Sequence, residues 1–409
     1  MTSPVSDPCT SDPLPGPLDG IRVLDLAAVL AAPVAATLLG EFGADVIKVE
    51  QPRVGDFPRH HASQPGGRTP QWLQEGRNKR SITLDLHDAR GQAIARRLAG
   101  RSDVVVTNFR PTTAARWQLT PDDLLAENDQ LVVLSITGYG LTGPYSDRGS
   151  FDRVTSAFSG HTHVSGYPDR PPVRAGFATI DFMSAYLGAF AVLAALRARD
   201  RGHGGQVIDL ALYEAAFRAN EASLAEYVAS GTPRQRIGNR NPRIVPATES
   251  PARDGRRVSY HAGTQPLFER LAKVIGRPEL VDDSRFATLA ARVTHQDELY
   301  DLVSEWIGCL DAESVVQHLS AADIPASVVN SLDDILVNEH YLARGTFEFV
   351  DDVELGPLPM VTPVPRLSKT PARIRHLGLE LGACNDEVLG GILHFSNAEI
   401  AELEADGVV

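Results

Sequence analysis

The feature that most limits how this chain can fold is a repeated alternation of short apolar runs with helix-length segments between residues 18 and 140. Ile21–Leu26 (IRVLDL) reads as a strand. Pro33 then suits the first turn of a helix running through VAATLLGEF, and Gly43 suits its stop. Asp45–Glu50 (DVIKVE) is the next strand and completes a β–α–β unit. The pattern continues with a strand at Ser81–Leu86, a helix over 88–99, a strand at Asp103–Asn108, a helix near 121–127 and a strand at Leu131–Ile136. Parallel neighbours need crossover helices, so this order predicts an α/β fold: a mainly parallel sheet covered on both faces.

Asp181–Arg199 (DFMSAYLGAFAVLAALRAR) is the strongest helix signal, apolar nearly all round and therefore expected to be largely buried. Gly202, Gly204 and Gly205 end it, and QVIDLAL begins a further strand. These segments place a large domain over 18–229. From Ser230 to Gly255 the chain turns to Gly, Pro, Arg and Asn without periodicity, which reads as a linker to a smaller domain over 256–330. Residues 331–409 read as a return segment, its Pro-rich part Gly356–Pro371 crossing back to the first domain. Residues 1–17, rich in Pro, Ser and Asp, have neither a basic start nor an apolar run and read as a mobile leader, not a signal peptide.

The formal net charge of −13 argues against nucleic acid or an anionic membrane as partner. An anionic ligand would need a local cationic site working against that field. The apolar stretches Leu26–Leu39 and Tyr186–Leu196 stop short of the ~18 residues of a membrane span. Cys9, Cys309 and Cys384 are few and far apart, so no disulfide or zinc framework is expected, and a reducing, cytoplasmic compartment fits.

Asp181 stands at the start of the long helix, where a carboxylate caps free N–H groups and stays ionised; partly buried, it would also be a capable nucleophile. Arg77, Asn78, Lys79 and Arg80 form a basic turn before a strand. Arg110 and Arg116 follow strand 103–108, where open α/β sheets bind ligands. The glycines of TGYGLTGP (137–144) match no phosphate-binding fingerprint, and His161 and His163 lack a metal-binding frame.

Taken together, LDGIRVLDLAAVLAAPVAATLLGEFGADVIKVEQPRVGD (18–56), NKRSITLDL (78–86), DVVVTNFRP (103–111), TGYGLTGPY (137–145), FDRVTSAFSG (151–160), Asp181 with its helix, and GHGGQVIDLALYEA (202–215) resemble the family III CoA-transferases and the related α-methylacyl-CoA racemases. The resemblance implies a Rossmann-like large domain formed by both chain ends, a smaller α+β domain between them, and an interlinked homodimer. It implies Asp181 as nucleophile, with CoA along Val29, Lys79, Asn108, Phe109 and Arg116. An acyl-CoA donor and a carboxylic acid acceptor would be the substrates, and no prosthetic group or metal is called for.

Lys79 and Arg116 would then neutralise phosphates, Asn108 would hydrogen-bond CoA, and Val29 and Phe109 would pack on it. Leu30 stands where formyl-CoA transferases carry Gln, and GNRNPRIVPATES lacks their polyglycine loop, which argues against formyl or oxalyl substrates. Arg240 and Arg243 in that segment are candidates for an acceptor carboxylate. The alternative reading, a racemase, needs a second acid/base group where this chain has Phe151, whose ring moves no proton. Phe151 instead suggests an apolar acyl pocket.

Overall fold

The computed structural model describes residues 9, 16–60, 69–241 and 243–409. Most of the stretch read as a leader lies outside them. Two compact units are present: Met1–Thr162, Arg174–Gly231 and Gly345–Val409 make the first, and His163–Val173 with Thr232–Arg344 the second.

The first unit is built on six strands: β1 Arg22–Asp25, β2 Asp45–Glu50, β3 Lys79–Thr83, β4 Val104–Thr107, β5 Val132–Thr137 and β6 Gln206–Ala211. Their order is β3-β2-β1-β4-β5-β6 and every pairing is parallel. The sequence reading located all six, with β3 beginning two residues earlier than expected because Lys79 and Arg80 are themselves paired in the sheet.

Alternate residues of each central strand feed opposite cores. Val23, Val104, Val106 and Leu134 pack with the helices Ala31–Glu41 and Thr179–Ala198. Leu24, Ile47, Val105 and Val133 pack with Ile94 and Leu98 and with the C-terminal residues Val388, Leu389 and Ile400. Both faces are thus covered, as near-continuous apolar strands require. The edge of β3 is closed by the returning C-terminal segment: Cys384 N–H donates to Ser81 O at 2.9 Å and Thr83 N–H to Asn385 Oδ1 at 2.9 Å. An edge covered in this way offers no template for foreign strands.

Three expectations need correcting here. The long helix is not buried all round: Tyr186 is 51% exposed and Phe190 68%, and Leu187 and Leu193 share that face. Continued by a turn to His203, it is also, at 25 residues, long and apolar enough to cross a membrane, which the count ending at Leu196 missed. In this fold it lies against the first helix and β5. Cys9 and Cys384 form a disulfide with Cα atoms 5.3 Å apart, which a separation of 375 residues hid from sequence reasoning. The cysteines therefore no longer argue for a reducing compartment.

The second unit holds the antiparallel sheet β7 Ala247–Pro251, β8 Arg257–His261 and β9 Ala326–Val328. Its core includes Phe268, Phe286, Tyr300 and Val303. The buried Arg292 guanidinium is satisfied by Val245 O, Gln265 Oε1 and Phe286 O at 2.8–3.0 Å. Strand β7 lies inside the stretch read as a linker, and 163–173 and 331–344 belong to this unit, not to the first. Composition marked the loop but not the strand embedded in it. In the first unit a hairpin, β10 Phe347–Asp352 with β11 Gly356–Val361, opens the return.

Candidate active site

The strand order reverses between β1 and β4, so their outgoing loops part and leave a crevice at the C-terminal ends of the strands. Asn108 braces the two loops across it. Its Nδ2 donates to Ala28 O at 2.7 Å, and its Oδ1 accepts from Ala28 N–H at 3.1 Å. The amide expected to bind CoA thus also ties the two loops together, with its second N–H and second lone pair unused by these bonds. Val29 follows with φ 76°, a left-handed conformation costly for a β-branched residue. Asp56 Oδ1 accepts the Val29 N–H at 2.8 Å and holds it there.

Beneath these loops is a buried charge cluster. Asp56 lies 3.0 Å from Lys48 Nζ, and Asp25 lies 3.8 Å from Lys48 and 2.9 Å from Lys79. Lys79 Nζ also donates to Pro33 O at 2.7 Å, and its side chain is 1% exposed. Burial lowers the pKa of Lys79, with the Asp25 carboxylate opposing. Its expected contact with phosphate does not fit this geometry, because the ammonium faces Asp25 in the interior. The strand alternation that points Lys79 inward was concealed by its place in a basic turn.

A cleft of about 320 Å³ opens beside Val29 and brings together Leu30, Asn108, Phe151 and Asp181 from the expected set, with Arg110 and Arg148 on its wall. Asp181 is the third residue of the helix Thr179–Ala198, not its cap. Capping falls to Asp152, whose Oδ2 accepts from Ile180 N–H at 2.8 Å and Asp181 N–H at 3.4 Å. The Asp181 carboxylate is consequently free of the backbone. No described residue hydrogen-bonds to it, and the residue is 9% exposed. Burial, with the Asp152 charge adding, pushes its carboxyl up to about 7. The expectation that a helix end keeps it ionised is corrected: a second carboxylate already occupies that end.

The helix Ala31–Glu41 begins at the same cleft with no side-chain cap, so its first amides remain available to an anion. A second pocket, about 170 Å³, shares Ala28 and is lined by Lys48, Asp56, His87, Phe109 and Trp117. Phe109 meets Trp117 edge-on at 5.0 Å, and the exposed Arg116 guanidinium lies 5.8 Å from the Trp117 ring. Of the expected CoA residues, Phe109 and Arg116 therefore gather around this pocket and Val29 at the cleft.

Arg148 and the capping role of Asp152 were missed, since a cap contributed from 28 residues away leaves no local signal. Arg240 and Arg243 belong to the second unit. Arg240 pairs with Asp297 and lies 4.8 Å over the Tyr300 ring. His161 is engaged with Ala216 O at 2.8 Å.

Residues 18–383 match the profile of CoA-transferase family III. The chain belongs to this family. It is 39% identical to the succinyl-CoA–D-citramalate CoA-transferase of Chloroflexus aurantiacus, over 97% of this chain and 98% of that protein. It is 33% identical to the succinate–glutarate CoA-transferase of Agrobacterium fabrum, over 91% and 95% of the two chains. Among solved structures, a CaiB/BaiF family protein from Brucella suis superposes with a TM-score of 0.81 at 32% identity, covering 92% of this chain and 99% of that one. The family III chain is thus a CoA-transferase enzyme that uses CoA thioesters as substrates.

Proposed function

We propose that this CoA-transferase carries the acyl group and then CoA on Asp181, with succinyl-CoA or a similar thioester as donor and a small dicarboxylic acid as acceptor. The observation that carries the reading is the Asp181 carboxylate itself: buried, unpaired, on the cleft wall and titrating near neutrality. A poorly solvated carboxylate of raised pKa is a stronger nucleophile than an exposed one. The named activities of the relatives supply the substrate class.

The ionised Asp181 oxygen attacks the thioester carbon. The C–S bond breaks, and the sulfur leaves with the electron pair as CoA thiolate. The resulting mixed anhydride is attacked at the Asp181 carbonyl by that thiolate, which releases the donor acid and leaves an aspartyl-CoA thioester. The acceptor carboxylate then reverses both steps, so no proton is gained or lost overall. Each intermediate keeps the activation that water would destroy, which is why a carboxylate nucleophile in a cleft suits the chemistry. The uncapped amides of the helix Ala31–Glu41 are placed to accept negative charge that develops on the carbonyl oxygen.

CoA in this reading spans the β1/β4 switch, with its acyl end in the Asp181 cleft and another part in the pocket of Phe109 and Trp117. The exposed apolar face of the long helix supports a homodimer in which a second copy covers Tyr186 and Phe190. Against the racemase alternative stands the lack of a second free acid/base group among the described residues of the cleft wall: Asp152 is engaged as a cap and Phe151 is aromatic.

Incubation with succinyl-CoA alone should leave CoA or succinyl mass on the peptide holding Asp181, read by mass spectrometry after proteolysis. Asp181→Ala should abolish the adduct and lower transfer by at least about 10³-fold. An Asp181→Ala enzyme that still transfers CoA at the wild-type rate would sink the proposal.

A further inference from the structure

From the cleft geometry we infer that Arg148 is the specificity-determining residue that holds the distal carboxylate of a dicarboxylyl-CoA; this rests on the CoA-transfer reading above and names the part of the acyl group that Arg148 reads. The cleft around Asp181 is apolar on much of its wall, through Val29, Leu30, Ile136 and Phe151. Its cations are Arg110 and Arg148. In a chain of net charge −13, a thioester that carries a further carboxylate enters against the overall field unless a local cation receives it.

Arg148 is available for that purpose. Its guanidinium lies 3.5 Å from the centroid of the Tyr145 ring, so one face is stacked. Stacking leaves the in-plane N–H donors at the rim, the ones that meet a carboxylate two at a time. Among the described residues the guanidinium has neither a hydrogen bond nor an ion pair, whereas Arg110 already donates to Asp147 O at 3.2 Å. A planar cation with its face fixed and its edge unspent is prepared for an incoming anion.

The backbone that carries it is also held. Asp147 Oδ1 accepts from Thr112 N–H at 2.9 Å and from Thr112 Oγ1 at 2.7 Å, which ties the residue before Arg148 to the loop after β4. Arg148 N–H donates to Tyr145 O at 2.9 Å and closes the turn. Further back, Leu141 N–H is bound by Asp209 Oδ1 at 3.0 Å. The loop therefore delivers Arg148 to the cleft wall at little ordering cost on binding.

The test compares succinyl-CoA with butyryl-CoA, donors of equal chain length that differ in a terminal carboxylate against a methyl group. Arg148→Ala should raise KM for succinyl-CoA and lower its kcat/KM roughly 10- to 100-fold, while butyryl-CoA is unaffected. Arg148→Lys should recover part of the loss. Equal losses for both donors would mean that Arg148 acts on the CoA moiety or on folding, and would overturn the assignment, as would no loss at all. Binding of both thioesters to Asp181→Ala protein, with and without Arg148→Ala, keeps the two readings apart. Arg148-dependent preference for succinyl-CoA in binding, without turnover by the wild type, would leave this inference standing and the transfer reading refuted. Turnover whose donor preference ignores Arg148 would do the reverse.

Discussion

Asp25 and Asp181 are both buried carboxylates of the first unit, and the protein treats them in opposite ways. Asp25 is 0% exposed and stands between the ammonium groups of Lys48 and Lys79. Asp181 is 9% exposed, has no cation against it among the described residues, and has the Asp152 carboxylate as its charged neighbour. A buried charge is tolerated when paired and hydrogen-bonded, and otherwise moves toward its neutral form. The paired carboxylate belongs to the scaffold that holds the loop of Val29 and, through Lys79, the first turn of the helix Ala31–Glu41. The unpaired one retains the free energy that chemistry can use.

The sharpest way to break this contrast is to unpair Asp25. Lys79→Met removes the closer ammonium and leaves a buried carboxylate with its remaining cation 3.8 Å away. Stability in urea denaturation should fall by about 3–5 kcal/mol. A loss under about 1 kcal/mol would show that the cluster is not a structural charge network.

Asp181→Asn should act in the other direction. The Asp181 carboxyl is raised from 3.8 to about 7 in the folded protein. Between those values the folded state binds more protons than the unfolded chain, so wild-type stability falls as pH rises and levels off above about 7. The Asn variant avoids that loss. It should exceed the wild type by about 2–4 kcal/mol at pH 8, with the advantage gone near pH 4. An advantage independent of pH would refute the raised pKa.

How much of this was legible in the sequence differs between the two carboxylates. The six strands were readable because apolar runs of strand length alternate with helical ones, and β2 was located to the residue. Asp181 was readable through its place at the long helix and through resemblance. Its electrostatics were not, because they depend on burial in the folded cleft and on Asp152, which reaches Asp181 from 29 residues earlier. Lys79 misled for the same reason: in sequence it belongs to a basic turn, and only β2–β3 pairing turns it toward Asp25. The Cys9–Cys384 pairing and the strand hidden in the supposed linker likewise depend on where the chain returns. Local pattern reports local structure, and these features are contacts between distant segments.

The smallest effect expected is also the most discriminating about how the site is tuned. Asp152 has two roles toward Asp181: it caps the helix, and it adds like charge. Asp152→Asn keeps an oxygen to accept from Ile180 N–H but removes the charge, so stability should change by less than about 1 kcal/mol. The free-enzyme kcat/KM profile, whose acidic limb reports the ionisation of the nucleophile, should shift to lower pH. Asp152→Ala should produce the same shift together with a loss of about 0.5–2 kcal/mol from the missing cap. Burial is the larger cause of the raised pKa, so the shift is partial and the limb stays above the ordinary range of an aspartate. A limb that does not move in Asp152→Asn would leave desolvation as the sole cause, and would reduce Asp152 to a cap that happens to lie beside the nucleophile.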